Sequence, residues 1–231
     1  MKNKISVVIA AFNEAPRIAD VLKVVENHPL IDEVIVINDG SVDNTSQVVR
    51  KFNVKLIENE KNIGKTLSVK KGIDAAKNDL IMLLDADLQG LTEKSIEKLA
   101  NPVLTGQVDW TLSYRNNSFL IMKLLQLDWI SGERVIPRKF LMDPLISSRP
   151  EVGYSLEVLM NKSLLGNRRS FQSVYLKNVI NTRKSEKVGF RAGTYNDFAV
   201  IGQMLRVLPL HQFVWQFVTM AYLNKKYQAK Q

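Results

Sequence analysis

The stretch with the most obvious chemical potential lies at residues 85–89, Asp-Ala-Asp-Leu-Gln. It follows the apolar run 80–84, which is typical of a buried strand. Two carboxylates and an amide oxygen therefore emerge where a strand ends, and ligands of open α/β sheets bind at that edge. Mg²⁺ and Mn²⁺ prefer oxygen ligands, and substrate phosphates commonly complete the shell begun by one or two carboxylates. We predict a Mg²⁺ or Mn²⁺ site at Asp85, Asp87 and Gln89. The alternative is an acidic turn that caps the next helix.

Two more predicted strands end in polar residues. The apolar run 5–10 leads into residues 11–14 (Ala-Phe-Asn-Glu), and the run 33–37 leads into residues 38–45 (Asn-Asp-Gly-Ser-Val-Asp-Asn-Thr). Apolar residues recur at helical spacing between these strands, at positions 18, 21, 22 and 25. Strands that alternate with helices of this length favour a parallel sheet with right-handed crossovers. All three polar clusters then share one sheet edge, which predicts a nucleotide-binding α/β domain.

These motifs resemble those of the family-2 glycosyltransferases of the GT-A fold, and within them the polyprenyl-phosphate glycosyltransferases. Residues 7–14 (Val-Val-Ile-Ala-Ala-Phe-Asn-Glu) are similar to that family's Val-Val-Ile-Pro-Ala-Tyr-Asn-Glu. Residues 38–45 are similar to Asp-Asp-Gly-Ser-x-Asp-x-Thr, and residues 62–66 (Asn-Ile-Gly-Lys-Thr) to Asn-x-Gly-Lys-Gly. Residues 85–89 match the metal motif of the polyprenyl-phosphate branch. The resemblance implies a Rossmann-like, mostly parallel sheet flanked by helices, and an inverting, metal-dependent transfer from a nucleotide-sugar donor.

The same resemblance implies which residues hold the donor. Asp39 takes the position of the aspartate that reads the nucleobase. The whole set of expected donor contacts is Ala10, Phe12, Asn13, Glu14, Asp39, Gly64, Lys65 and Asp85.

The resemblance extends beyond the donor motifs, from residue 5 to about residue 190. Residues 113–115 (Ser-Tyr-Arg) occupy the place of a Gly-Ser-Arg, and residues 128–134 are similar to Asp-x-x-Ser-Gly-x-Arg. Residues 153–157 (Gly-Tyr-Ser-Leu-Glu) are similar to Gly-Tyr-x-x-Glu. We predict a GT-A domain over 1–195, with a nucleotide-sugar-binding half (1–114) and an acceptor-binding half (115–195). Apolar and basic C-terminal helices follow over 196–231.

The acceptor determines which further residues are needed. A divalent cation held by Asp87 and its neighbours would neutralise the departing nucleoside diphosphate. A phosphate acceptor is largely ionised at neutral pH and needs no general base, and Arg115 and Arg134 would orient it. An alcohol acceptor must lose a proton to a carboxylate, for which Glu133 and Glu157 are the candidates. Either glutamate can equally be a surface or helix-supporting residue.

Charge is distributed unevenly along the 231 residues. Residues 1–114 contain 14 Lys and Arg against 16 Asp and Glu, a net charge of −2. The remaining residues contain 18 against 7, a net charge of +11. This asymmetry favours an anionic partner, either a phosphate-bearing acceptor or a lipid surface, over a solvated basic surface with no role. Nucleic acid is disfavoured because the basic residues are not interleaved with an aromatic stacking platform.

The C-terminal stretch 198–223 is apolar but contains Pro209, which is expected to divide it into two helices. Each half is shorter than the roughly 20 apolar residues that span a bilayer. Residues 210–223 carry a narrow polar stripe, and lysines follow at 225, 226 and 230; the stripe consists of Gln212, Gln216 and Thr219. The pattern predicts a peripheral membrane contact through residues 198–230 with a basic anchor. The alternative is a helix packed against the catalytic domain or in a homodimer.

Composition favours a cytoplasmic enzyme. The chain contains no cysteine, which suits a reducing compartment, and the first predicted strand starts without a cleavable signal before it. Two other classes also bind nucleotides. A nucleotidyltransferase commonly has a glycine-rich loop after its first strand, whereas residues 11–14 contain no glycine. A non-catalytic nucleotide-binding domain would not need Asp85 and Asp87, so the two aspartates favour an enzyme.

Overall fold

Strands and helices alternate through the first half of the computed structural model. They are β1 (Ile5–Ala11), α1 (Ile18–Val25), β2 (Ile31–Asn38), α2 (Thr45–Val49), β3 (Lys55–Glu58), α3 (Lys65–Ala75) and β4 (Leu80–Asp85). The chain continues with β5 (Leu88–Gln89), α4 (Glu93–Leu104), β6 (Trp110–Arg115), α5 (Leu120–Leu124), β7 (Arg134–Pro137) and α6 (Arg138–Leu141). The last elements are α7 (Ser155–Gly166), β8 (Phe171–Leu176), β9 (Ile180–Asn181) and α8 (Leu210–Gln228).

The structure describes residues 4–118, 120–142, 155–181 and 209–228. Several sequence expectations therefore lie outside the described residues: Gly153 and Tyr154 of the motif at 153–157, the first helix of the C-terminal stretch (198–208), and Lys230. The division at residue 195 lies there too. The proposed division of the catalytic domain into two halves stays a prediction.

Seven strands form one sheet in the order β3-β2-β1-β4-β7-β6-β8. Strand β1 pairs in parallel with β2 and β4, and β2 pairs in parallel with β3. Strand β7 runs antiparallel to both neighbours, β4 and β6, while β8 is parallel to β6. The predicted mostly parallel α/β sheet is confirmed. The single reversed strand, β7, was not anticipated.

The strand register brings the polar strand ends together. Ala11 lies opposite Asn38 in the β1–β2 pair, and Ala10 lies opposite Asp85 in the β1–β4 pair. The last residues of β1, β2 and β4 are therefore neighbours at one edge of the sheet. This confirms that the three polar clusters share an edge.

Both faces of the sheet are covered by apolar side chains. Helix α1 forms where the sequence predicts it, and its four apolar residues at 18, 21, 22 and 25 are fully buried with α4 on one face. Helices α3 and α7, together with Met220, Ala221 and Leu223 of α8, cover the other face. Because both faces are buried, β1 and β4 read as continuous apolar runs rather than alternating ones.

Helix α8 begins directly after Pro209 and packs its polar residues inward. Gln216 is buried and its side-chain amide donates to the Val158 carbonyl oxygen at 3.2 Å. Asn224 is also buried and donates to the carbonyl oxygens of residues 125 and 126. Gln216, part of the predicted polar stripe, therefore faces the protein, and the alternative that this helix packs against the catalytic domain is confirmed. Among the described residues, every helix is too short or too polar to cross a bilayer.

The outward face of α8 is apolar. Its exposed large side chains are Leu210, Val214, Trp215, Val218 and Tyr222. Lys225 and Lys226 follow at the end of the helix and are exposed. The helix thus meets the protein through both polar and apolar side chains, and its outward face exposes large apolar ones.

Candidate active site

The loops that follow β1 and β2 hold each other through hydrogen bonds. Asn13 has a positive φ of 56°, a conformation that asparagine tolerates better than most residues. Its backbone N–H donates to the Ser41 hydroxyl at 2.9 Å, and its side-chain oxygen accepts from the Val42 N–H at 3.0 Å. The backbone N–H of Glu14 donates to the Thr45 hydroxyl at 2.9 Å. Asn13 and Glu14, both predicted donor contacts, thus fix the shape of this part of the edge.

Asp39 anchors the loop that leads into α3. Its carboxylate accepts hydrogen bonds from the backbone N–H groups of Ile63 and Gly64 and from the Asn59 amide, each at 2.9 Å. Gly40, the next residue, must be glycine, because a Cβ there would lie 2.4 Å from a backbone atom of Lys61. Asp39 is only 3% exposed. Base reading by Asp39 stays a prediction, while the contacts show that it positions Gly64 and hence the start of α3.

Lys65 joins two carboxylates that are distant in sequence. Its ammonium group lies 2.8 Å from Asp85 Oδ1 at the end of β4, and 2.8 Å from Glu157 Oε1 on α7. Burial disfavours the charged ammonium, but the two carboxylates outweigh it and raise the pKa of Lys65 well above its ordinary value. Burial also opposes the charge on Asp85, yet Lys65 and Arg115 hold its pKa below the usual range. The donor motifs and α7 therefore meet at one ion-paired cluster.

Glu133 and Arg115 form a buried layer beneath this cluster. Arg115 donates to Glu133 Oε1 at 2.5 Å, and the Ser113 and Ser131 hydroxyl groups donate to Glu133 Oε2 at 2.6 Å. Burial raises the pKa of Glu133, and the charge of Asp85 adds to the effect. For Arg115, burial acts in the opposite direction, but nearby carboxylates raise its pKa. Glu133 is fully buried and Arg115 is 6% exposed, so both act from below the surface of the site.

The two glutamates considered as general bases are both engaged. Glu133 is fully buried, and the Glu157 side chain is 1% exposed with one oxygen on Lys65. The alternative that either is a surface residue is wrong. The second oxygen of Glu157 is buried with no hydrogen-bond partner among the described residues.

Arg134 is enclosed by protein atoms. Its guanidinium group is fully buried, and it donates to the carbonyl oxygens of Ser131 and Trp129 and to Asn161 Oδ1 at 2.6 to 2.9 Å. It also lies over the Trp110 ring. Burial lowers the pKa of Arg134 to about 10. These contacts show that Arg134 supports the loop before β7, while orientation of the acceptor by Arg134 stays a prediction that its burial argues against.

The remaining predicted residues lie around the opening of the edge. Ala10 is half-buried at the end of β1, and Phe12 is 45% exposed just beyond it. Asp87 is half-buried, and Gln89 is exposed on β5, which pairs with Ile180 and Asn181 of β9. This pairing attaches the segment that carries the metal motif to the second half of the chain, and Asn117 donates to Asn181 of the same strand.

The residues present suit an oxygen-ligated cation. Asp85 and Asp87 supply carboxylates and Gln89 an amide oxygen at one sheet edge, which is the donor chemistry that Mg²⁺ and Mn²⁺ prefer. The described residues contain no cluster of three or more His, Cys, Asp or Glu side chains that could hold a metal ion. Two carboxylates are the usual protein contribution where substrate phosphates complete the shell.

The chain belongs to glycosyl transferase family 2, whose family model matches residues 6–146. This confirms the resemblance drawn from the motifs.

Three relatives show which members it is similar to. A dolichyl-phosphate beta-glucosyltransferase of Trichomonas vaginalis is 34% identical over 94 residues, 35% of this chain and 28% of the relative. A poly-beta-1,6-N-acetyl-D-glucosamine synthase of Staphylococcus epidermidis is 30% identical over 135 residues, which are 55% of this chain and 33% of the relative. A dodecaprenyl-phosphate galacturonate synthase of Rhizobium johnstonii is 29% identical over 124 residues, which are 49% of this chain and 36% of the relative. The matched regions cover well under half of each relative.

The fold is also that of a solved glycosyltransferase. The structure of glucosyl-3-phosphoglycerate synthase from Mycobacterium tuberculosis, in complex with Mn²⁺, UDP-glucose and phosphoglyceric acid, aligns with a TM-score of 0.71. The alignment covers 89% of this chain and 79% of that one at 22% identity. It confirms the GT-A fold.

Sequence reasoning missed the supporting residues of the site. Ser113 and Ser131, which donate to Glu133, lie within the motifs but are brought together by pairing of β6 with β7. Asn117, which donates to Asn181, lies outside the motifs. The one available signal was Gly132. A Cβ there would lie 2.6 Å from Asp85 Oδ1, so the glycine of the Ser-Gly-x-Arg motif marks the close approach of the two segments.

Proposed function

We propose that this chain is a metal-dependent, inverting glycosyltransferase that moves a sugar from a nucleotide-sugar donor to a phosphate-bearing acceptor. The first candidate for this acceptor is a polyprenyl phosphate. Family membership and the sheet edge formed by β1, β2 and β4 support the donor part. The similarity to dolichyl-phosphate and dodecaprenyl-phosphate enzymes supports the acceptor part.

The state of the two glutamates is the observation that carries the acceptor class. An alcohol acceptor needs a general base within hydrogen-bond reach, whereas Glu133 and Glu157 are buried and engaged with Arg115 and Lys65. A phosphate acceptor is already ionised at neutral pH and needs neither glutamate. The buried pair can then keep its positioning role throughout the reaction.

The chain's own residues would divide the work as follows. Asn13 and Asp39 shape the loops around the nucleoside, and Lys65 lies beside the position expected for the diphosphate. Asp85, Asp87 and Gln89 would hold Mg²⁺ or Mn²⁺, which supplies neutralisation of the charge on the leaving diphosphate. Arg115, fixed by Glu133, would contribute positive charge on the acceptor side.

A peripheral membrane contact is part of this proposal, and we assign it to the outward face of α8. A polyprenyl phosphate presents its reactive group at the headgroup level, so the enzyme must reach that surface. Trp215 and Tyr222 are residue types favoured at membrane interfaces, and Lys225 and Lys226 complement anionic headgroups. The proposed location is cytoplasmic, on the inner membrane face.

The test is a donor and acceptor panel with Mn²⁺. UDP-sugars and GDP-sugars are offered with a polyprenyl phosphate in vesicles, with 3-phosphoglycerate, or with a neutral sugar, and nucleoside diphosphate release is measured. Release that depends on the polyprenyl phosphate and stops in EDTA supports the proposal. Release only with 3-phosphoglycerate or a neutral sugar would replace the acceptor class. Pyrophosphate release would indicate nucleotidyl transfer, and no release would indicate a binding domain.

The metal assignment has its own variant. Asp87→Ala should lower turnover by at least about a hundredfold, since removal of one electrostatic stabiliser commonly costs that much. Asp20→Ala, which removes an exposed carboxylate paired only with Lys23 at the surface, should keep full activity. An Asp87→Ala protein that is fully active in EDTA would contradict the assignment.

A further inference from the structure

We propose that Lys65 occupies the cation position of this site when no donor is bound, and that the metal enters together with the donor diphosphate. The inference rests on the proposed function and concerns the order of events at the same site. Lys65 is then an internal counter-ion: its ammonium group pairs with Asp85 in the empty site and with a phosphate group once the donor is bound.

The first support is the placement of the ammonium group. It lies 2.8 Å from Asp85 Oδ1, the first carboxylate of the metal motif. A divalent cation at that oxygen would meet a fixed positive charge within a few ångströms. Repulsion at such a distance is strong because the pair is only partly solvated.

The second support is the set of groups that already surround Asp85. The backbone of Gly132 lies so close to its carboxylate that a Cβ there would be 2.6 Å from Oδ1 and 2.9 Å from Oδ2. Arg115 adds a second positive charge nearby. A metal without a nucleotide therefore meets a carboxylate whose charge is already neutralised.

The third support is that the two carboxylates paired with Lys65, those of Asp85 and Glu157, differ in exposure. The Glu157 side chain is 1% exposed, whereas the Lys65 side chain is 36% exposed and the Asp85 side chain 21%. Glu157 can therefore keep Lys65 charged and in place from the protein side. The Lys65 side chain is therefore partly exposed, so that an arriving diphosphate can contact it.

The fourth support is the small number of protein ligands. The described part of the chain offers no cluster of three acidic, histidine or cysteine side chains, so phosphate oxygens are needed to complete a cation's shell. A diphosphate supplies those oxygens and also an anionic partner for Lys65. One ligand thus removes the competitor and completes the coordination.

The test measures Mn²⁺ binding by electron paramagnetic resonance, in which free Mn²⁺ gives a six-line signal, so that turnover is not the readout. Wild-type protein should take up Mn²⁺ weakly alone and at least about tenfold more tightly with UDP or GDP, a difference of about 1.4 kcal/mol. Lys65→Met should bind Mn²⁺ alone at least about tenfold more tightly than wild type, because Asp85 is released. The gain from the nucleotide should shrink in this variant.

Three further variants separate charge at this position from other effects. Lys65→Arg keeps the positive charge and should bind Mn²⁺ alone as weakly as wild type. Glu157→Gln leaves Asp85 as the only carboxylate partner of Lys65, so uptake of Mn²⁺ alone should fall further. Lys70→Met removes an equal charge from the same helix, where Lys70 pairs with Asp74 at 2.6 Å, and should match wild type. Circular dichroism confirms that each variant is folded.

The outcomes distinguish failure of the inference from failure of the proposed function. If nucleotide raises Mn²⁺ uptake in wild type but Lys65→Met and Glu157→Gln leave uptake of Mn²⁺ alone unchanged, the counter-ion role is overturned and the function stands. If neither nucleotide changes Mn²⁺ uptake in any variant, the proposed donor site fails and the order of binding fails with it. Tight uptake of Mn²⁺ alone by wild type also overturns the inference.

Discussion

Gly132 shows how a residue without a side chain can control the site. Its backbone lies against the Asp85 carboxylate, so Gly132→Ala must push that carboxylate aside. We expect loss of activity by about a hundredfold, the order associated with a 1 Å misplacement of a catalytic group, with little change in thermal unfolding. The matched control is Gly166→Ala, where an added Cβ meets no atom within 4 Å. Equal activity of the two variants would show that Asp85 tolerates displacement.

Arg134 is expected to act through stability rather than through the acceptor. Arg134→Met removes the donor to the Ser131 carbonyl oxygen and to Asn161 Oδ1, at a cost of about 1–3 kcal/mol for each unsatisfied group. Urea unfolding should show the loss, while Arg138→Met, whose guanidinium group makes an exposed contact, should unfold like wild type. An unchanged unfolding midpoint together with a raised acceptor KM would restore the original assignment of Arg134.

The sequence could predict site residues that follow a strand directly, because their position depends on local pattern. Asp39 is such a residue because it directly follows β2, and Asp85 is another because it is the last residue of β4. It could not predict the environment of Glu133 and Arg134, because their partners come from β6 and α7, 18 to 27 residues away. Burial of an arginine or glutamate depends on such distant pairing and leaves no local signal.

At the scale of elements, α8 departs from the usual pattern of a surface helix, because it buries two polar side chains and exposes large apolar ones. The sequence shows the polar stripe but not the direction it faces, since the carbonyl that receives Gln216 lies 58 residues away on α7. The two faces can therefore serve different functions. Gln216 and Asn224 dock it to the catalytic domain, and the apolar residues opposite remain available to a second surface.

The two faces of α8 should respond differently to substitution. Full-length protein should float with anionic liposomes and be released by salt, since each lysine near the surface contributes about 1 kcal/mol. The double variant Val214→Ser and Val218→Ser should lose flotation and keep its thermal stability, because both side chains are half exposed or more. Asn224→Ala should do the reverse, losing stability as two carbonyl groups lose their donor.

One result would assign the outward face differently. Suppose that wild-type protein stays at the bottom of the gradient at low salt and sediments as a dimer, and that the double valine variant is a monomer. The outward face of α8 would then serve subunit packing. The membrane part of the proposal would then be withdrawn in favour of a soluble acceptor.

At the scale of the whole molecule, the site is shared between the two predicted halves. Lys65 and Asp85 belong to residues 1–114, and Arg115 and Glu157 to the cationic remainder of the chain. Residues of both halves therefore meet where an anionic donor and an anionic acceptor are proposed to react. Positive charge contributed by the second half favours approach of both ligands, while the carboxylates of the first half are the proposed ligands of the metal.

The sheet topology predicts that the donor half does not fold alone. Strand β7 lies between β4 and β6, so a fragment of residues 1–114 leaves β4 as an unpaired edge of an apolar parallel sheet, a state prone to aggregation. Trp110 would also lose its stacked partner Phe171, whose ring centroid lies 4.7 Å away. Residues 1–181 keep all seven strands and serve as the control. We expect this control to melt cooperatively and the shorter fragment to aggregate or melt without a transition; a monomeric 1–114 fragment with a cooperative transition would show instead that the halves are independent folding units.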